Sequence, residues 1–268
     1  MRNDAEISYF HARDGVRLAY RQIGEGRPVV LIHGYFSSAV VNWVRYGHAE
    51  KIAARGFKII MPDLRGHGAS AKPHDARCYP PDVLADDAFA LIEALGLTDY
   101  DLGGYSLGAR TTVRMLVRGA TPGRAILAGM GLDGIVSTGR RNAHFRHVLT
   151  HLGTFERGSP EWLAETFLKS TGGDPLALRH VLDSAVDTPR ESLAQIGTST
   201  LVVAGAEDND NGSAAELAAA LMRAEHSVVP GTHMSAVTKP ELGDTIAGFL
   251  DASPARAAWN GRHAIDQA

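Results

Sequence analysis

Short apolar runs of strand length alternate with stretches of helical spacing along most of this chain, and that alternation restricts it to few architectures. Pro28–Ile32, Phe57–Met61, Ala125–Ala128 and Leu201–Ala204 are strand-length runs of mostly apolar residues, and Tyr100–Gly103 and Ser227–Val229 are shorter ones. Between them, Leu84, Ala88, Leu91, Ile92 and Leu95 sit at helical spacing within Asp82–Leu95, and Leu107–Arg118 is a second predicted helix. Ser213 and Glu216 form a capping-box pattern before Leu217 and Leu221. Leu242, Ile246, Phe249 and Leu250 line a last helical face, with Pro240 near its start. Strands that are apolar throughout belong to a parallel sheet covered on both faces, and the intervening helices are its crossovers. Ile7–Phe10 and Val16–Tyr20 flank Asp14-Gly15 and are predicted as an antiparallel hairpin at the start. The fold class is therefore α/β with a mostly parallel sheet, whose reactive residues gather on loops at the carboxyl ends of the strands.

One stretch breaks the alternation. Residues 133–195 carry helix-start signals at Ser159-Pro160-Glu161 and Asp174-Pro175 and no clear strand. They are predicted as a helical insertion between strands 6 and 7, leaving 1–132 and 196–268 as the core. A length of 268 residues accommodates one such domain with an insertion. The Ala-rich segment Asp251–Ala268 has Trp259 as its only large anchor.

Composition narrows the partners. With 44% hydrophobic and 21% charged residues the chain is of globular type, which excludes overall disorder. A net charge of −3 supplies no general attraction to nucleic acid or anionic membrane, so neither is an expected partner. MRNDAEISYF lacks the apolar run of a signal peptide, and no stretch reaches the roughly 18 apolar residues of a membrane span. The lone cysteine, Cys78, has no internal disulfide partner, which suits a reducing compartment, and a cytoplasmic location is the expectation.

The chemistry is carried by Gly104-Tyr105-Ser106-Leu107-Gly108, a G-x-S-x-G that follows a predicted strand and opens a predicted helix. That is the context of a nucleophile elbow, where a serine stands on a strained turn and the following helix offers free N–H groups to a developing oxyanion. A serine needs a base at neutral pH. Of 12 histidines, His233 lies just after the last predicted strand, at the same sheet edge as Ser106. An acid must orient that base, and Asp208 follows the Leu201–Ala204 run. Glu207, Asp210 and Asp133 are alternatives at the same edge. Two oxyanion donors are expected, the N–H groups of Leu107 and of Tyr35 in the loop after Pro28–Ile32, with His33 structural. A nucleotide site is disfavoured: the glycine pattern at 103–108 lacks the middle glycine of G-x-G-x-x-G, and no G-x-x-x-x-G-K-[ST] occurs.

These residues resemble the α/β-hydrolase superfamily of serine hydrolases. The likeness rests on His33-Gly34-Tyr35, the Asp63–Ser70 stretch DLRGHGAS, the Gly104–Gly108 elbow, Asp208 and His233. It implies an eight-stranded sheet begun by the hairpin, a helical lid over the site, a structural role for DLRGHGAS, and hydrolysis of a small carboxylic ester, lactone or related acyl substrate without cofactor or metal. It looks closest to small lidded esterase-like and ring-cleavage-type hydrolases. Ser106 departs from dehalogenases and epoxide hydrolases of this fold, which carry Asp as nucleophile. Tyr35-Phe36-Ser37 lacks the proline usual in perhydrolases, and Met234–Thr238 lacks the tryptophan usual in carbon–carbon bond hydrolases. The alternatives are a carbon–carbon hydrolase, a lyase or acyltransferase, and a ligand receptor that keeps the triad.

Within the insertion, Phe145 and Trp162 are expected to contact substrate, with Phe155 and Phe167 as further apolar candidates. Trp43, Arg45 and Tyr46 are placed near the entrance. His144, His147 and His151 lie at i, i+3 and i+7 and are expected to form a polar helix face rather than a metal site.

Overall fold

The computed structural model describes residues 6–252, so Trp259 lies outside the described residues. Its strands are β1 (Ile7–His11), β2 (Arg17–Ile23), β3 (Arg27–Ile32), β4 (Phe57–Pro62), β5 (Asp101–Tyr105), β6 (Arg124–Ala128), β7 (Ser199–Gly205) and β8 (Ala224–Val229). They form one sheet in the order β1-β2-β4-β3-β5-β6-β7-β8. Only β2 runs against its neighbours β1 and β4, and every pair from β4 to β8 is parallel. The mostly parallel sheet is the one expected from the alternation, and its eight strands are the number that the resemblance implies.

The helices are α1 (His48–Ala53), α2 (Val83–Ala94), α3 (Leu107–Val117), α4 (Leu132–Val136), α5 (Gly139–Thr150), α6 (Pro160–Ser170), α7 (Pro175–Asp183), α8 (Arg190–Leu193), α9 (Ala214–Ala220), α10 (His233–Ala236) and α11 (Pro240–Ala252). Side chains alternate across each strand, so one sheet carries two cores. Val29, Leu31, Ile59, Met61, Leu201 and Val203 bury one face with residues of α1 and α11. Val30, Ile32, Ile60 and Leu102 bury the other with α2. Ala125, Leu127 and Val202 continue that second face beneath α3 and α9. No described helix is long and apolar enough to cross a membrane.

Sheet order sets the place of the site. The chain leaves β3 toward β4 on one side and leaves β5 toward β6 on the other. Loops that part in opposite directions open a crevice at the carboxyl edge, and here it lies between the ends of β3 and β5.

Five helices, α4 to α8, lie between β6 and β7 with no strand among them. Ser159 and Asp174 cap α6 and α7, their side chains accepting from Trp162 N–H and from the N–H groups of Leu176 and Ala177, each with proline in the first turn. These five helices do not form one unit. Leu132 and Ile135 of α4 and Leu193 of α8 pack into the sheet core. α5, α6 and α7 instead gather Val148, Leu149, Leu168, Leu178 and Leu182 around Phe36, from the loop after β3.

The segment from β3 to β4 was not legible in the sequence. Val40–Val44 forms a π-helix that leads into α1, and Trp43, expected near the entrance, is fully buried in the core. Its indole fills the space between the sheet and α1, and that packing takes it away from the carboxyl edge.

Candidate active site

Ser106 stands at the turn from β5 into α3 with φ 54° and ψ −110°, in the left-handed region that an L residue adopts only under constraint. The constraint is close backbone packing. A Cβ added to Gly108 would lie 2.1 Å from the Ile32 carbonyl oxygen, and one on Gly104 would lie 2.4 Å from the Gly108 carbonyl carbon. The two motif glycines thus let α3 start directly against β3 and β5. The turn is held at both ends: Ser106 N–H donates to Ala128 O (2.8 Å) and Arg110 N–H to Ser106 O (3.0 Å).

His233 opens α10, whose N-terminus is fixed by a reciprocal pair. Thr232 N–H donates to Ser235 Oγ (2.8 Å), and Ser235 N–H donates to Thr232 Oγ1 (3.4 Å). The ring spans two partners. Its Nδ1 lies 2.9 Å from Asp208 Oδ2, and its Nε2 lies 3.0 Å from Ser106 Oγ. A carboxylate only accepts, so the neutral ring donates from Nδ1 and keeps Nε2 free to accept from the serine hydroxyl. The His233 and Asp208 side chains are 7% and 3% exposed, so solvent scarcely competes for that bond. The other acids are engaged elsewhere or turned outward. Asp210 pairs with Arg141 (3.1 Å), Glu207 is exposed, and Asp133 is exposed on α4 against Gly212.

The loop after β3 meets the elbow from the other side. A Cβ on Gly34 would lie 3.4 Å from Ser106 Cβ, and Gly34 N–H donates to Asn42 Oδ1 (2.9 Å). Tyr35 follows, its hydroxyl donating to Leu178 O of α7 (2.7 Å). Leu107 is the first residue of α3, so its N–H has no partner within the helix. His33 is fully buried: Leu64 N–H donates to its Nε2 (2.9 Å), and its Nδ1 donates to Gly34 O (2.7 Å). Burial lowers its pKa against the opposing pull of Asp63, which keeps it a neutral brace for this loop. In DLRGHGAS, Asp63 accepts from the N–H groups of Ala39 (2.8 Å) and Ala69 (2.9 Å), while Arg65 pairs with Asp87 and Asp14. The stretch ties three loops together and presents no side chain to Ser106 Oγ.

Two cavities meet at His233, Met234, Tyr35 and Phe167. One, of about 200 Å³, holds Ser106, Ser37, Asn42 and Arg45. The other, of about 520 Å³, is walled by Phe36, Phe145, Leu163 and Phe167, with Arg140, Arg141 and Asp210 toward one end. Phe145 thus lines the larger cavity. Trp162 does not line either cavity: α6 turns Leu163 and Phe167 inward, which carries Trp162 to the side, near the Arg157 guanidinium (6.0 Å). Phe155 packs beside His147 instead (5.5 Å). Arg45 and Tyr46 do border the smaller cavity. Of the three histidines on α5, His144 lines the larger cavity 3.9 Å from Glu161, its pKa lowered by burial and by Arg141. His147 and His151 stack with ring centroids 4.4 Å apart. No group of three or more His, Cys, Asp or Glu able to hold a metal occurs among the described residues.

Three contributors carried no sequence signal. Tyr105, a variable position of the motif, donates its hydroxyl to His233 O (2.6 Å), and burial raises its pKa so that it stays a donor. Asn42 and Ser37 reach the site through the π-helix and the turn before it, neither of which has a periodic signature.

The fold is shared with known proteins. A family model described as alpha/beta hydrolase fold matches residues 27–126, which include β3 and the elbow. The AB hydrolase superfamily protein YisY of Bacillus subtilis is 34% identical over 111 residues, 41% of this chain and 39% of that protein. An epoxide hydrolase of Caballeronia sordidicola is 36% identical over 101 residues, 38% of this chain and 30% of that protein. The matches thus span about two fifths or less of these relatives' length. Over nearly the whole chain the likeness is one of fold. A thermophilic esterase from Thermogutta terrifontis superposes with a TM-score of 0.74 at 21% identity, covering 92% of this chain and 98% of that one. The match over residues 27–126, the sheet order and the superposition over nearly the whole chain together give this chain the α/β-hydrolase fold.

Proposed function

We propose that this protein is a serine hydrolase that cleaves a small carboxylic ester, lactone or related acyl compound through an acyl-enzyme. The observation that carries the reading is the hydrogen-bonded chain from Ser106 Oγ through His233 to Asp208 Oδ2. In the proposed reaction His233 Nε2 takes the Ser106 proton as Oγ attacks the acyl carbon. The negative charge forming on the carbonyl oxygen is met by the N–H groups of Leu107 and Tyr35. Removing one such donor costs about 3–4 kcal/mol in comparable sites. Asp208 stabilises the imidazolium, which then protonates the departing alcohol oxygen. In the second half, water loses its proton to His233 and attacks the acyl-serine, releasing the acid and restoring Ser106. The steps use only protein groups and water.

The helices α5–α7 are proposed as the lid that selects the substrate, because Phe145 and Phe167 wall the larger cavity beside His233. The relatives named above differ in the chemistry of their names, and the motif alone does not choose among acyl substrates. The reading is tested with Ser106→Ala and a serine-reactive aryl phosphonate. The wild type is expected to hydrolyse short aryl esters with solvent oxygen entering the acid, and to be labelled at Ser106. Ser106→Ala is expected to keep its fold and lose activity by about 10⁴-fold or more. Ester turnover that survives in Ser106→Ala, or an acid product free of solvent oxygen, defeats it.

A further inference from the structure

The Ser37 side chain sets a problem in the smaller cavity. Ser37 is 5% exposed, and its Oγ has no hydrogen-bond partner among the described residues. It lines the same cavity as Ser106 and His233. Burying a hydroxyl without a partner is unfavourable, and folded proteins rarely leave one so unless something else completes it. Its neighbours are donors as well. Asn42 has spent its carbonyl oxygen on Gly34 N–H, which leaves its amide N–H groups to offer. Arg45, exposed at the mouth, has no ion pair among the described residues. No aspartate or glutamate lines this cavity. The larger cavity differs on that point: it carries an acid of its own, Asp210, which pairs with Arg141, and although the exposed Arg140 also lines it, most of its wall is apolar.

We propose that the smaller cavity is a subsite for a carboxylate of the substrate, held by the Ser37 hydroxyl, the Asn42 amide and the Arg45 guanidinium. Three donors and one uncompensated positive charge are complementary to an anionic oxygen acceptor. The substrate is then bipartite. Its apolar body occupies the larger cavity, its carboxylate the smaller one, and the acyl carbon lies at Ser106 between them. The inference rests on the proposed hydrolase reading for the placement of the acyl carbon but not for the binding of the carboxylate.

The experiment therefore has a binding arm and a turnover arm. In the first, glutarate and its neutral diamide are titrated calorimetrically into the Ser106→Ala protein. Glutarate is expected to bind at least tenfold more tightly than the diamide. Adding Ser37→Ala or Arg45→Gln is expected to weaken glutarate by about tenfold, the scale of one hydrogen bond to a charged group. The Ser37→Ala melting midpoint is expected at or above that of its parent, because the change removes a buried hydroxyl that has no partner. In the second arm, kcat/KM is compared for an aryl monoester of glutaric acid and the aryl ester of butyric acid. The ratio is expected to favour the acid-bearing ester and to fall in Ser37→Ala. Equal binding of glutarate and diamide, undiminished glutarate binding in both variants, or a melting midpoint lowered by Ser37→Ala overturns the subsite. Selective glutarate binding without turnover of any ester keeps the subsite and defeats the hydrolase reading. Ester turnover without acid preference does the reverse.

Discussion

The turn at Ser106 and the helices α5–α7 lie on opposite sides of the same cavities and are held by opposite means. At the turn, backbone meets backbone: Gly104, Gly108 and the Ile32 carbonyl are so close that one added carbon would overlap. In α5–α7, side chain meets side chain, with Leu168, Leu178 and Leu182 closing around Phe36. Backbone contacts of the first kind allow no substitution, whereas apolar cores tolerate exchanges that keep volume. The candidate nucleophile is therefore positioned by atoms every chain possesses, and the cavity wall by residues that can change one at a time. A fold of this kind can keep its chemistry while its selectivity varies.

That contrast can be broken by substitution. The largest effect is expected from Gly108→Ala, which places a carbon far inside van der Waals contact with the Ile32 carbonyl and should cost roughly 4 kcal/mol or more of stability. Urea unfolding measures it, and a loss under 1 kcal/mol would mean the turn is not held by backbone contact. Leu178→Ala opens the small core of the inserted helices and should cost about 2–4 kcal/mol. It should also shift the preference among acyl esters of graded length. Equal costs for the two variants, with no shift in preference, would erase the distinction between the regions.

Acid probes the seam between them. Tyr35 packs on His67 at 5.6 Å, and the neighbouring Gly66 lies against Val181 of α7. His67 is fully buried, and desolvation lowers its pKa from 6.5 to about 3. A histidine depressed in the folded state binds fewer protons there than in the unfolded chain. Its contribution to stability is full above pH 6.5 and is lost progressively as pH falls toward 3, and His33 acts in the same direction. Unfolding free energy measured at pH 7, 5 and 4 should fall in that order, and His67→Gln should flatten the slope. A wild-type slope that is flat between pH 6.5 and 4 would contradict the burial of both rings. The smallest effect belongs to Tyr105→Phe. Losing the hydroxyl that supports His233 O should cost about 1 kcal/mol and lower kcat several-fold with KM little changed. Unaltered kcat would show that α10 holds His233 unaided.

The same contrast explains what could be read from the sequence. β3, β5 and the elbow announce themselves through local pattern, because apolar runs and fixed glycines follow from their surroundings at short range. Asp208 and His233 could be placed by their position after apolar strands, since topology brings those strand ends to one edge. Trp43 and Trp162 could not. An aromatic residue's direction depends on which helix passes overhead, and that is set by contacts distant in sequence. The π-helix at Val40–Val44 arises in the same way, and it carries Asn42 into the site although the local pattern VVNWV resembles a strand. Ser37 and Tyr105 are ordinary residues whose roles appear only once β3, β5 and α10 have been brought together.

The pairing of β3 with β5 also determines when the site comes into being. Val29–Ile32 must find Asp101–Gly104 across the whole of β4, α1 and α2. Contacts so remote along the chain form late and slowly, since a long loop must close before they stabilise anything. His233 arrives from further still, after β8. A growing or partly folded chain thus carries Ser106 as an ordinary alcohol. Reactivity at that residue would report that the centre of the sheet has closed, so phosphonate labelling followed in time during refolding would act as a clock for completion of the native topology.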